Sequence, residues 1–205
     1  MGKIYYLFSR INKETGFTKK EKKYMQKDIK ENSIITFISA YTQEEEKQKE
    51  SIENKIKCFK QIGINFKKKY TIDEETNKKD ALKYIKESNI IFLLGGAPHI
   101  QMQIINKNEL QQELKKVPLI IGVSAGAMNQ TKRVIYIDEF EENKLYDYEG
   151  LNYFETSIYP HYSQDLIEEI KEVSQKQPII AIPDGSFIRI ENDKVEYIGK
   201  KYYYK

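Results

Sequence analysis

The chain has 205 residues, 40% hydrophobic and 32% charged, which suits one α/β domain with its own core and excludes a disordered or fibrous protein. The net charge is only +3 and lysines are interleaved with glutamates, so no coherent basic face for nucleic acid is expected. No apolar stretch approaches the roughly 20 residues that cross a bilayer, so no membrane span or membrane partner is predicted.

The single cysteine and the first residues indicate the compartment. Cys58 cannot form a disulfide within the chain, so the sequence requires no oxidising environment. The first residues carry one lysine and a short apolar run without a small-residue cleavage site, which indicates a first strand rather than a signal peptide. We therefore expect a cytoplasmic protein.

Strands and helices alternate along the chain. Short apolar runs predict strands at residues 3–9, 33–40, 65–72, 89–94, 118–123, 133–137 and 178–182. Apolar residues at helical spacing predict helices at residues 43–62, 77–87, 100–116 and 165–175, and residues 19–31 form an exposed helix or loop. Residues 187–190 and 194–198 are predicted to form a hairpin around Asn192-Asp193.

This order of elements predicts the fold class. Alternating strands and helices imply an α/β domain with a mostly parallel, doubly wound sheet and helices on both faces, here one domain over residues 1–205. Ligands of such sheets bind beyond the carboxyl ends of the strands. Side chains that follow predicted strands are therefore the candidates for a functional site.

The segment GVSAGA, residues 122–127, gives the strongest chemical signal. It follows the most apolar predicted strand and precedes small residues that can begin a helix, which is the setting of a nucleophile elbow. In that setting Ser124 is the nucleophile, and the N–H of Ala125 faces the developing oxyanion. The pattern G-x-S-x-G also arises by chance in loops between a strand and a helix, so it does not suffice alone.

The glycine pair and His99 follow the predicted strand at residues 89–94, and His161 follows a short strand-like segment. His161 is the candidate base, and His99 is expected to affect substrate affinity. The pair Gly95-Gly96 is a candidate second oxyanion donor, because glycine lets the backbone approach a substrate oxygen closely. A plain tight turn and capping or surface histidines are the alternatives.

An acidic stretch lies between the serine and His161 in the sequence. It contains Asp138, Glu139 and Glu141 and follows the predicted strand that ends at residue 137. Neighbouring residues of a strand face opposite sides, so at most one of Asp138 and Glu139 can point at the histidine if the strand continues. Most of these acids are expected to be solvated.

Four segments in order resemble peptidase family S51, which includes peptidase E, cyanophycinase and the aspartyl dipeptidases. They are LLGG (93–96), GVSAGA (122–127), YPHY (159–162) and IPDGSFI (182–188), and the resemblance runs from about residue 90 to residue 189. It implies a flavodoxin-like sandwich similar to class I glutamine amidotransferases, with serine in place of their cysteine. Many members carry a third glycine and an asparagine where this chain has Ala97, Pro98 and His99.

The resemblance also implies catalytic roles. It makes Ser124 the nucleophile and His161 the base, in the order serine, acid, histidine. The acid then falls in the acidic stretch, where Glu139 is the first choice, Asp138 the second and Glu141 the remaining one. Asp184 is expected to be a turn residue beside Gly185.

The predicted function is hydrolysis of small peptides, dipeptides among them, with an acidic N-terminal residue as one expectation from the family. The reaction passes through an acyl-enzyme on Ser124, with Gly96 and Ala125 holding the oxyanion. No cofactor and no metal are expected, and a homodimer is left open. The alternatives are a non-catalytic member of the fold that binds a metabolite or a partner, and an α/β-hydrolase esterase.

Overall fold

The computed structural model describes residues 2–138 and 141–205. The strands are β1 (Ile4–Phe8), β2 (Ile34–Ile38), β3 (Lys68–Ile72), β4 (Ile90–Leu93), β5 (Leu119–Val123), β6 (Arg133–Asp138), β7 (Lys144–Glu149), β8 (Ser157–Tyr159), β9 (Ile179–Ala181), β10 (Phe187–Glu191), β11 (Lys194–Ile198) and β12 (Tyr202–Tyr204). The helices are α1 (Lys19–Asp28), α2 (Glu45–Gln61), α3 (Lys78–Glu87), α4 (Pro98–Lys107), α5 (Gln111–Leu114), α6 (Ala125–Met128) and α7 (Ile167–Ser174).

The central sheet has seven strands in the order β11-β10-β1-β5-β4-β2-β3. From β1 to β3 the strands are parallel, and the hairpin of β10 and β11 adds an antiparallel edge next to β1. Strands such as β5 (LIIGV) are buried throughout, as expected for a parallel sheet covered on both faces. The predicted α/β fold class with a mostly parallel sheet is confirmed.

Two smaller sheets complete the described structure. One has the order β12-β9-β8, with β8 and β9 parallel, and the other is the antiparallel pair of β6 and β7. Because β8 and β9 run in the same direction, the loops that follow them emerge at the same edge. This relationship places two of the side chains of the site described below.

The core lies on both faces of the central sheet. One face packs aromatic rings from strands and α2 together, including Phe8, Phe37, Phe59, Phe92 and Phe187. Burial of such rings removes a large apolar area from water and dominates the stability of the fold. The sheet is therefore a rigid frame for residues attached to the ends of its strands.

A buried ion network ties α1 to the sheet edge. The Arg189 side chain is fully buried in β10, and its guanidinium donates to Asp28 at 2.7 Å, Glu191 at 2.9 Å and Glu196 at 3.0 Å. The side chain of Asp28 is only 4% exposed. In this pair, direct hydrogen bonds between Arg189 and Asp28 therefore replace the hydrogen bonds to water that both charged groups would make when exposed.

The structure differs from the sequence prediction at residues 100–116 and 144–149. The predicted helix over residues 100–116 is two helices, α4 and α5, because Glu109 between them has a positive φ of 53°. Strand β7 was not predicted, since its sequence KLYDYE is charged and gains its order from pairing with β6. No helix of the described residues is long and apolar enough to cross a membrane.

Candidate active site

Three neighbouring parallel strands end at the candidate site. Strand β1 is followed by Ser9, β5 by Ser124, and β4 by Leu94 and the pair Gly95-Gly96. The backbone N–H of Ser124 donates to the carbonyl of Phe8 at 2.9 Å, which continues the pairing of β1 and β5 up to the serine. The position at the carboxyl ends of the strands is the one predicted for a ligand site.

Ser124 has a strained backbone. Its φ of 52° and ψ of −114° lie in a region that side-chain-bearing residues rarely adopt, and such strain costs about 1–3 kcal/mol. Helix α6 begins immediately after it and packs close to β4: a Cβ on Gly126 would lie 2.2 Å from the carbonyl oxygen of Leu93. The sharp turn from β5 into α6 therefore requires glycine at 126 and presents the serine hydroxyl outside the sheet.

His161 lies directly opposite the serine hydroxyl. Its Nε2 is 2.8 Å from the Oγ of Ser124. The histidine has a left-handed φ of 59°, and its backbone N–H donates to the Oγ of Ser9 at 2.8 Å. The next residue, Tyr162, donates its N–H to the carbonyl of Ile182 at 3.2 Å, so two consecutive backbone N–H groups hold the loop after β8.

Asp184 contacts the other nitrogen of the ring. Its Oδ1 is 2.8 Å from Nδ1 of His161, and it also accepts from the Oγ of Ser9 at 2.9 Å. Arg10 donates to its second oxygen at 3.2 Å. A carboxylate at Nδ1 favours the tautomer with the ring proton there, which leaves Nε2 as the acceptor for the hydroxyl of Ser124.

Burial raises the pKa of Asp184, but the hydrogen bonds from His161, Ser9 and Arg10 outweigh it, so the net pKa lies below its ordinary value. The carboxyl group is therefore ionised at neutral pH. The side chain remains 42% exposed, which moderates these electrostatic effects.

The described acids of the acidic stretch lie beside the other histidine. Glu139, the first choice for the catalytic acid, is outside the described residues. The two other candidates, Asp138 and Glu141, lie beside His99, where the three potential ligand atoms are within 4.8 Å of one another. The carboxylate that the structure places at Nδ1 of His161 is that of Asp184. The prediction of a plain turn residue at 184 was incomplete, because Asp184 is both in a turn and in contact with the histidine.

His99 is held by aromatic neighbours. Its Nδ1 is 2.7 Å from the hydroxyl of Tyr136, and its ring stacks on Tyr146 with centroids 4.2 Å apart. Burial lowers the pKa of His99, so its neutral form is favoured in spite of the nearby carboxylates. With Asp138 and Glu141 it could hold a metal ion, although the ammonium of Lys144, 2.9 Å from Glu141, competes for that carboxylate.

A cleft of about 1020 Å³ opens over the serine. Its lining includes Gly96, His99, Ser124, Ala125 and His161, which brings these sequence-predicted residues into one site. Gly95 lies beneath the serine, since a Cβ on it would be 3.5 Å from the Cβ of Ser124. Because Ala125 begins α6, its N–H is one of the helix's first donors, which have no acceptor within the helix.

The last strand supports the loop that carries His161. The ring of Tyr202 in β12 stacks on Tyr162 with centroids 4.3 Å apart, and the hydroxyl of Tyr204 donates to the hydroxyl of Tyr162 at 3.1 Å. Tyr202 and Tyr204 thus pack against the residue that follows His161.

Sequence reasoning missed Ser9, Arg10 and Asp184. A signal for Asp184 is present in the sequence: Tyr159-Pro160-His161 and Ile182-Pro183-Asp184 both place a polar residue after an apolar strand and a proline. If the two strands are taken as parallel neighbours, these polar residues meet at one edge. Ser9 carries no such signal beyond its place after the first strand.

Two solved structures share the fold. A provisionally assigned peptidase E protein from Listeria monocytogenes EGD-e superposes with a TM-score of 0.74 at 19% identity, covering 98% of this chain and 100% of that chain. A peptidase from an acI-B1 Actinobacterium superposes with a TM-score of 0.71 at 16% identity, covering 98% and 88%. At these identities the likeness establishes the shared fold.

A comparison with curated protein sequences gives no match. The sequence model of peptidase family S51 matches residues 8–198, which contain every strand from β2 to β11 and the residues of the site. The match covers far more than the four short segments on which the resemblance was first based. The chain belongs to peptidase family S51 and is, by family, a peptidase.

Proposed function

We propose that the protein is a serine peptidase that cleaves short peptides, dipeptides among them, through an acyl-enzyme on Ser124. The observation that carries this proposal is the line of contacts from Ser124 through His161 to Asp184, 2.8 Å at each of its two steps. Nucleophile, base and orienting carboxylate are each within hydrogen-bond reach of the next, which is the geometry that activates a serine.

In the first half of the reaction the Oγ of Ser124 attacks the peptide carbonyl carbon while its proton passes to Nε2 of His161. Asp184 stabilises the imidazolium that forms and holds the ring in place. The negative charge on the carbonyl oxygen is received by backbone N–H groups, for which Ala125 and Gly96, both in the lining of the cleft, are the proposed donors.

The imidazolium then returns the proton to the leaving amine, and the carbon–nitrogen bond breaks. In the second half a water molecule loses its proton to Nε2 of His161 and attacks the acyl carbon, which releases the carboxylic acid and restores the hydroxyl of Ser124. Every proton is supplied by water or by the serine, so the balanced reaction consumes one water per peptide bond. This sequence uses only side chains and backbone groups of the described site.

The backbone strain at Ser124 supports the same conclusion. A residue in a disfavoured conformation persists only where the surrounding fold enforces it, and such residues cluster at active sites. Here the pairing of β5 with β1 and the close packing of α6 on β4 enforce it.

Labelling with a fluorophosphonate probe tests the proposal. The wild-type protein should form one covalent adduct, located by peptide mass spectrometry at Ser124, and should hydrolyse members of a dipeptide library. Ser124→Ala should give neither result. A folded wild-type protein that neither reacts with the probe nor cleaves any peptide would instead support a non-catalytic member of the fold.

A further inference from the structure

The backbone of His161 is strained. Its φ of 59° lies in the left-handed region, which residues with a side chain rarely adopt. Such a conformation persists only where the surrounding structure enforces it. The base of the proposed reaction therefore depends on the contacts of the residues around it, and the next residue in the chain is Tyr162.

Tyr162 connects the loop of His161 to strand β12. Strand β9 lies between β8 and β12 in their sheet, and Tyr202 of β12 pairs with Ala181, the last residue of β9. The ring of Tyr162 stacks on that of Tyr202 with centroids 4.3 Å apart, and its hydroxyl accepts from the hydroxyl of Tyr204 at 3.1 Å. Because Tyr162 follows β8, these contacts reach across the end of β9 and join all three strands.

Tyr202 and Tyr204 share one face of β12. Neighbouring residues of a strand point to opposite sides, so the side chain of Tyr203 points away from Tyr162. Tyr203 is 58% exposed, and the centroid of its ring is 5.2 Å from the ammonium of Lys201. The same strand therefore offers a third tyrosine that differs from the other two in the face on which it lies.

Resting on the peptidase function proposed above, we propose that Tyr202 and Tyr204 are positioning residues, which act through Tyr162 to hold His161 against Ser124. Neither tyrosine is among the described residues that line the cleft, so their effect falls on the base rather than on peptide binding. Misplacement of a catalytic group by about 1 Å costs on the order of 100-fold in rate, so a distant contact that limits its movement matters for turnover.

The test combines steady-state kinetics on the best dipeptide with the rate at which a fluorophosphonate probe labels Ser124. The labelling rate reports activation of the hydroxyl without peptide binding. Tyr202→Ala should lower kcat and the labelling rate by about tenfold and leave KM within about twofold of the wild-type value. Tyr204→Phe removes only the hydrogen bond to Tyr162 and should lower both rates by about threefold.

Tyr203→Ala is the matched control. It removes the same side chain from the same strand on the opposite face, so its kcat and labelling rate should equal those of the wild type. Tyr202→Phe keeps a ring to stack on Tyr162 and should restore the rates lost in Tyr202→Ala. Circular dichroism and Tm confirm that each variant is folded at the assay temperature, and the milder Tyr204→Phe keeps the test decisive if Tyr202→Ala does not fold.

Three results would overturn the proposal while leaving the peptidase function intact. They are wild-type kcat and labelling rates in both Tyr202→Ala and Tyr204→Phe, losses in Tyr203→Ala equal to those in Tyr202→Ala, or a rise in KM at unchanged kcat. Failure of the peptidase function looks different, because the wild-type protein would then form no probe adduct at Ser124 and cleave no dipeptide. That result would overturn both proposals.

Discussion

The backbone N–H of His161 donates to the Oγ of Ser9 across a distance of 2.8 Å, although the two residues are 152 positions apart in the sequence. The same Oγ donates to Asp184 at 2.9 Å. Ser9 is fully buried at the end of β1, so it fixes the histidine and the aspartate relative to the central sheet. It is a positioning residue for the proposed reaction.

Ser9→Ala should lower kcat by about tenfold and leave KM nearly unchanged. The variant loses two hydrogen bonds of about 1 kcal/mol each that orient the base and the acid without touching substrate. Steady-state kinetics on the best dipeptide, with Tm measured in parallel, checks this. If kcat stays at the wild-type value while Tm falls, the role of Ser9 is structural only.

Two substitutions at Ser124 separate chemistry from strain. Ser124→Ala and Ser124→Gly should both lose hydrolysis, because neither has a nucleophile. Glycine tolerates the observed φ of 52°, so the glycine variant should be more stable than the alanine variant by about 1 kcal/mol. Urea unfolding of the two variants measures the difference, and equal stability would show that the turn is not strained.

The two histidines should differ in effect. His161→Ala should lower kcat by about three or more orders of magnitude, since the proposed base is removed. His99→Ala should act mainly on KM, because His99 lines the cleft but its ring nitrogens face Tyr136 and Glu141. Separate kcat and KM values for each variant test this, and the reverse pattern would assign the base to His99.

Asp184→Asn and Glu139→Gln distinguish the carboxylate at His161 from the one first chosen from the sequence. Asp184→Asn should lower kcat by about 100-fold or more, because an amide does not favour the required tautomer of the imidazole. The loss should be smaller than for Ser124→Ala, since an acid deletion leaves partial function. Glu139→Gln should keep kcat near the wild-type value. A larger loss in Glu139→Gln than in Asp184→Asn would return the role to the acidic stretch.

The lowered pKa of Asp184 also predicts a pH dependence of stability. A carboxyl group whose pKa is lower in the folded protein contributes stability above its unfolded pKa of about 4 and loses that contribution as the pH falls through its folded pKa. The free energy of unfolding should therefore fall less on acidification from pH 5 to pH 2.5 in Asp184→Asn than in the wild type. Urea unfolding at several pH values measures it, and parallel curves would contradict the assignment.

The buried network around Arg189 should be important for stability. Arg189→Met leaves Asp28 buried without its cationic partner, which should cost about 3–5 kcal/mol. Arg133→Met is the control, because the pair of Arg133 and Asp147 at the surface has side chains 43% and 24% exposed and should contribute about 1 kcal/mol or less. Denaturant unfolding measures the free energy of unfolding of both variants. Similar losses in the two would show that the buried ion pair contributes no more stability than the surface pair.

Much of the fold was predictable from the sequence. Of the two contacts of His161 in the site, the one with Ser124 was predictable and the one with Asp184 was not. Continuous apolar runs such as LIIGV predicted the buried parallel strands, and the glycine-rich segment around Ser124 predicted the turn after β5. These are local signals. The chain order of the contacting residues is serine, histidine, aspartate, whereas the order serine, acid, histidine was expected.

Asp184 was missed because its contact depends on non-local pairing. Asp-Gly after a proline is a typical turn sequence, and nothing within that segment shows which strand lies beside β9. Only the parallel pairing of β8 with β9 brings residues 161 and 184 to one edge. The break after α4 was missed for a related reason, since Glu109 adopts a positive φ without a glycine or proline to indicate it.

The long sequence separation of the contacts has a consequence for folding. Ser9 and Asp184 are 175 residues apart, and the serine between them depends on pairing of β5 with both β1 and β4. Contacts between distant segments form late, because loop closure must be completed before they add stability. During refolding, helical content should therefore return before reactivity toward an active-site probe does. The rate at which that reactivity reappears would therefore measure how fast the pairing of the whole central sheet is completed.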